Sequence, residues 1–155
     1  LVLGNYLLGG TSSGRLPARV REKEGLSYST YSYFSASALD ASGVFGLSSI
    51  YAPQNRERVE RAIREELGRA LERGFAEAEF EAAKRGLLET RRVQRSQDRS
   101  LAARLANYLY VGRSFDWDIE FEKRIAALDA AGVRDALRRH IDPAKLSVLK
   151  AGDFR

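Results

Sequence analysis

Between Gly9 and Tyr33 the chain changes its pattern from helical to extended at a single glycine, Gly25. Upstream, Ser12 and Ser13 are of the type that caps a helix N-terminus. Pro17 falls in the first turn, where its missing amide costs nothing. Leu16 and Val20 lie four apart on one face, and Gly25 stands where a left-handed residue ends a helix. Downstream, Leu-Ser-Tyr-Ser-Thr-Tyr-Ser-Tyr-Phe from Leu26 to Phe34 favours a strand. Any fold adopted by this chain must therefore seat a helix and a strand at one corner. Arg21 from the last helical turn and Tyr28 from the new strand are aimed into that corner. A guanidinium fork and a phenol together suit a peptide carbonyl or a carboxylate. At this level a surface arginine beside a half-buried strand tyrosine reads the same way.

The remaining pattern sets the fold class. Leu1 to Leu8 reads as a short helix or the tail of a strand. Ala36 to Gly43 reads as a turn, and Val44 to Tyr51 as a second strand returning antiparallel. Asn55 is placed to cap a helix to about Arg73, with Val59, Ile63, Leu67, Ala70 and Leu71 as its apolar stripe and Gly74 as its stop. Glu77 and Glu79 suit the first turn of the next helix, which buries Phe80, Ala83 and Leu87 and fades at Ser96. A third helix carries Leu101, Leu105, Tyr108 and Leu109 on one side. Asp116 and Asp129 are placed to cap two more, the first carrying Trp117, Phe121, Ile125 and Leu128, the second with Val133, Ala136 and Leu137 inward. Asp142-Pro143 ends the helical run, and Lys145 to Ala151 reads as a closing strand. The expected architecture is α+β, an antiparallel or mixed sheet with helices packed on one face, forming a single domain over residues 1–155.

Composition excludes several chemistries. The chain has no cysteine and one histidine, His140, so thiolate sites are impossible, and a zinc site or catalytic triad would have to rest on that residue. No apolar run approaches the ~18 residues that a membrane span requires. The net charge of +5 comes from arginines interleaved with glutamates, as in Arg56-Glu57-Arg58-Val59-Glu60-Arg61, which reads as a solvated helical face. The densest basic cluster, Arg91-Arg92-Val93-Gln94-Arg95, lacks interleaved aromatics, so nucleic acid is not an expected partner. The chain opens on Leu1 and contains no methionine, and is expected to be a processed or excised piece. Its compartment stays open, periplasm or cytoplasm for a bacterial protein.

Three runs carry a resemblance: Asn5-Tyr6-Leu7-Leu8-Gly9-Gly10, then Ser12-Ser13-Gly14-Arg15-Leu16, then Arg21-Glu22-Lys23-Glu24-Gly25-Leu26-Ser27-Tyr28. With Gly43-Val44-Phe45, the helix opening at Glu77 to Lys84, and a closing Asp142-Pro143 strand ending in Gly152-Asp153, nearly the whole chain resembles the insulinase/pitrilysin zinc metallopeptidases. The resemblance implies a LuxS/processing-peptidase-like half-domain, lacking here the first strands that precede the Asn-x-x-Leu-Gly-Gly segment in the family. It implies two homologous halves closing like a clamshell over a peptide. One carries an H-x-x-E-H zinc motif. The other lacks zinc and contributes an arginine and a tyrosine, matched here by Arg21 and Tyr28. This chain resembles the C-terminal, non-zinc half or a partner subunit. By that resemblance, zinc is expected only in the partner half and the isolated chain is expected to be inactive. Tyr28 would donate to the substrate carbonyl in trans, and Arg21 would hold a neighbouring carbonyl. A second reading on the same fold is a catalytically silent structural subunit, like the core proteins of respiratory complexes. The uncovered sheet edge left by missing strands implies self-association.

Overall fold

The computed structural model describes residues 1–153. Among them, seven helices accompany one antiparallel two-stranded sheet, so the α+β expectation holds. Helix α1 (Val2–Leu8) buries Leu3, Leu7 and Leu8. A short helix α2 (Arg15–Pro17) runs directly into a wide π turn, Ala18–Lys23. Strands β1 (Ser29–Ala36) and β2 (Gly43–Ile50) pair from Ser29 opposite Ile50 to Ala36 opposite Gly43. After a 3-10 turn at Pro53–Asn55 come α3 (Arg56–Arg73), α4 (Glu77–Arg95), α5 (Asp98–Tyr110), α6 (Phe115–Ala126) and α7 (Ala130–His140).

The helices gather on one side of the hairpin because its two faces differ. Thr30 and Ser32 of β1 are buried, with Phe45 and Leu47 of β2 packed against the core. Tyr31 and Tyr33, on the alternate face, remain exposed. The main core joins α1, α3, α4, α6 and α7 through Leu3, Leu8, Leu67, Phe80, Ile125 and Leu137. Each such side chain contributes roughly 1.5–3 kcal/mol on burial. A satellite cluster of Val20, Leu26, Val59 and Ala62 lies under the corner at Gly25.

Several local expectations are corrected. The cap of α2 is Gly14, not Ser12 or Ser13; the Thr11 and Ser13 hydroxyls lie 3.1 Å apart and bond each other instead. Asn55 occupies the cap position of α3, but its amide donates to the Leu26 carbonyl at 3.0 Å. Ser114, not Asp116, caps α6, accepting from the Asp116 amide, whereas Asp129 caps α7 as expected. Leu105 and Leu109 of α5 are exposed, because α5 is held through a polar face and buries only Tyr108. Finally, Lys145–Ala151 is not a strand. After a 3-10 turn at Pro143–Lys145 this segment lies along α3, with Lys150 paired to Glu60 at 2.5 Å. Its alternation supplies strand propensity, but a cleft of about 660 Å³ separates it from the strand edge that would pair with it.

Candidate functional site

The corner at Gly25 is built by closely spaced anchors. The π turn closes with the Glu24 amide donating to the Arg19 carbonyl at 3.0 Å and Gly25 to Arg21 at 3.2 Å. Gly25 adopts φ of 57°, a left-handed conformation that glycine reaches without a Cβ penalty. The Leu26 amide then donates to the Val20 carbonyl at 2.8 Å, folding the chain back over its own helix. Arg19 fixes the turn to α3 by bonding Glu24 at 2.7 Å, Glu65 at 2.6 Å and Glu66 at 3.2 Å. Burial would lower the Arg19 pKa, but these carboxylates hold it above the usual guanidinium value.

Tyr28 is not a strand residue. The Ser27 hydroxyl accepts from the Ser29 amide at 3.1 Å and donates to the Ile50 carbonyl at 2.6 Å, making a side-chain turn that delays β1 until Ser29. Tyr28 is therefore clamped at the backbone on both sides while the residue as a whole is 82% exposed. The Arg21 guanidinium stacks over that ring at 4.7 Å from its centroid and also contacts Glu22 at 3.1 Å. Arg21 and Tyr28 are thus brought together as the sequence predicts, by a cation–π contact across the corner. They face a cleft of about 280 Å³ whose other wall is Gly9, Gly10, Thr11, Ser12 and Pro17. That wall is itself pinned, since the Asn5 carbonyl accepts from the Gly9 amide at 3.0 Å and Gly10 at 2.8 Å, and the Gly9 carbonyl accepts from the outward amide of Ser32 at 3.0 Å. The arrangement offers guanidinium N–H donors and a phenol to an oxygen-bearing ligand.

No group of three or more His, Cys, Asp and Glu among the described residues is placed to hold a metal, and His140 is an exposed residue at the end of α7. Among the described residues no helix is long and apolar enough to cross a membrane.

A second polar centre was not singled out from the sequence. Asp118 is only 2% exposed and accepts from Arg91 at 2.5 Å, Arg95 at 3.2 Å, Arg104 at 3.1 Å and the Tyr108 hydroxyl. Glu122 pairs with Arg91 at 3.0 Å and with Arg95. Burial pushes the Asp118 carboxyl up, but Tyr108 and the three arginines outweigh it and hold the group below its usual range. The basic run at Arg91–Arg95 is consequently largely internally paired, with Arg92 bonded to Glu89 at 2.9 Å. Asp118 could have been found as the acid on the inward side of α6, two residues from the expected cap.

Among the described residues, an α+β fold whose helices cover one face of the sheet carries an arginine–tyrosine pair at a glycine corner and no cluster of metal-ligating side chains. The chain belongs to the peptidase M16 family: residues 1–87, more than half of it, match the Peptidase M16 inactive domain. It is 26% identical over 139 residues to the non-peptidase homolog YmxG of Helicobacter pylori, covering 88% of this chain and 31% of that one. It is 41% identical over 76 residues to the uncharacterized zinc protease SCO5738 of Streptomyces coelicolor, covering 49% of this chain and 16% of that one. The chain spans less than a third of the length of either relative. Among solved structures, the peptidase M16 inactive domain from Pseudomonas fluorescens superposes with a TM-score of 0.80 at 25% identity, over 92% of this chain and 34% of that one. The periplasmic protease PqqL from Escherichia coli shares the fold with a TM-score of 0.67 at 19% identity, over 89% of this chain and 15% of that one.

Proposed function

We propose that this chain is the substrate-holding, non-zinc half of a zinc endopeptidase of the M16 family, acting on a peptide that a homologous zinc-bearing half cuts. The observation that carries this reading is the Arg21–Tyr28 stack, presented at the mouth of a cleft on backbone clamped on both sides. The zinc chemistry belongs to the partner half. Within this chain, the Tyr28 hydroxyl donates to the substrate carbonyl as negative charge develops on it, and Arg21 holds an adjacent carbonyl through its fork. Strand addition to β1 is blocked at Ser32, whose outward amide already donates to Gly9, so side chains rather than the β1 edge carry recognition there.

The test is to combine the chain with its zinc-bearing half and follow cleavage of an internally quenched peptide. Tyr28→Phe lowers the rate by about a hundredfold, the scale of losing one oxyanion donor. Arg21→Ala lowers kcat/KM by roughly tenfold or more, as expected when a charge-assisted hydrogen bond is lost. Unchanged rates in both variants refute the assignment. A second reading, a silent structural subunit, is favoured by the match to a protein named a non-peptidase homolog. In that case neither variant alters cleavage by the assembled complex.

A further inference from the structure

From Gly25 to Asn55 the chain carries one charged side chain, Asp40, although 30% of its residues are charged overall. The hairpin's outer face is the centre of this uncharged region. Tyr31 and Tyr33 stand there, each 46% exposed, with ring centroids 6.4 Å apart, flanked by exposed Val44 and Ile50. Their cross-strand partners are small, Ser48 opposite Tyr31 and Gly46 opposite Tyr33. The Tyr33 ring lies directly on Gly46; a Cβ added there would stand 2.2 Å from the ring. The glycine thus provides a flat seat that holds the ring against the sheet, leaving its outer surface available. Among the described residues, neither hydroxyl is tied to another side chain. Tyr31 also lines the cleft shared by Arg21 and Tyr28, so the aromatic face is continuous with the proposed substrate site.

We propose that Tyr31 and Tyr33 form a side-chain subsite that selects an uncharged bulky residue, aromatic or large aliphatic, in an extended peptide held by Arg21 and Tyr28. This rests on the substrate-holding reading above and adds the chemistry that the site prefers. Three properties select that occupant. The hairpin's outer face itself carries no charged side chain to pair with an acidic or basic residue, and Arg21 on the adjoining cleft is already stacked on Tyr28 and paired to Glu22. Two rings spaced close to the repeat of an extended chain accept one bulky side chain between or across them. Continuity with the Arg21–Tyr28 cleft places that side chain on the same peptide whose backbone the cleft engages.

The test measures binding of the full chain, by calorimetry, to two capped pentapeptides: acetyl-Thr-Ser-Phe-Ser-Thr-amide and its counterpart with Ala at the centre. The Phe peptide binds about five- to tenfold more tightly. Tyr31→Ala and Tyr33→Ala each reduce that preference towards unity, and Tyr33→Phe preserves it. Amide-proton spectra of the hairpin are compared for all variants, so that a collapsed sheet is told apart from a lost subsite. Tyr31→Ala, on an exposed ring opposite the small Ser48, serves where Tyr33→Ala disturbs the ladder. Arg21→Ala weakens both peptides equally and leaves their ratio intact. Equal affinity for the Phe and Ala peptides, or a preference unchanged in Tyr31→Ala, overturns the subsite. Arg21→Ala with no effect on either peptide overturns the underlying substrate-holding reading instead. If neither peptide binds, both are overturned.

Discussion

Replacing Asp118 by Asn removes one charge from the junction of α4, α5 and α6 without changing its shape. The carboxylate is 2% exposed and faces Arg91, Arg95 and Arg104, whose side chains are 16%, 28% and 16% exposed. Glu122 remains as a counter-charge for Arg91 and Arg95, but the ion pair of Arg104 is with Asp118. Asn keeps one acceptor and turns two N–H donors towards guanidinium groups that are donors themselves. Breaking a buried pair by removing one partner costs about 3–5 kcal/mol, and the partial exposure of the arginines places this case at ~3 kcal/mol. For a chain of this length that lowers Tm by roughly 6–12 °C. Urea unfolding followed by far-UV dichroism gives the global loss. Fluorescence of Trp117, next to Asp118 and stacked on Phe121 at 5.3 Å, reports the junction directly. The sign with pH is fixed: a carboxyl held below its ordinary value contributes fully above the unfolded pKa, near 3.8 for an aspartate. That contribution is lost as pH falls through the lower folded value. Wild type and Asp118→Asn therefore differ most at neutral pH and converge below pH ~4. A loss under about 1 kcal/mol, or a difference that does not narrow in acid, refutes the claim that this charge holds the junction.

Gly25→Ala forces a Cβ into the left-handed region with no atom within 4 Å to clash, so the cost is conformational alone, about 1 kcal/mol by chemical denaturation, and Gly25→Asn costs less. An unchanged midpoint for Gly25→Ala would show that the corner does not hold this conformation. The sheet among the described residues has only two strands, and a free outer edge on β2 favours self-association through strand pairing. Light scattering shows a concentration-dependent dimer; a clean monomer at high concentration counts against it.

Much of the fold was legible because its signals are local. Gly25, Gly74, Asp129 and Pro53 punctuate the chain where the structure turns, and the stripes of α3, α4 and α7 at the helical period face the core. The Arg21–Tyr28 encounter was legible for the same reason, since one tight corner fixes both residues. What failed depends on partners distant in sequence. The segment Lys145–Ala151 has the right alternation, but it lies along α3 with a cleft between it and the β2 edge. Leu105 and Leu109 form an apolar stripe, yet α5 turns it outward because Arg104 and Tyr108 are drawn to Asp118. The π turn at Ala18–Lys23 has no residue that announces it; a wider turn is visible only in its hydrogen bonds.

Arg19 gathers three carboxylates, one from its own turn and two from α3, more than forty positions along the chain. This sets the portable unit for anyone moving the arginine–tyrosine pair into another scaffold. The short segment from Leu16 to Tyr28 encodes Arg21 and Tyr28 but not their alignment, because Val59, Ala62, Glu65 and Glu66 form the bench on which the corner is set. A graft carrying α3 together with the hairpin retains the geometry, and one carrying the motif alone yields two residues on a floppy loop.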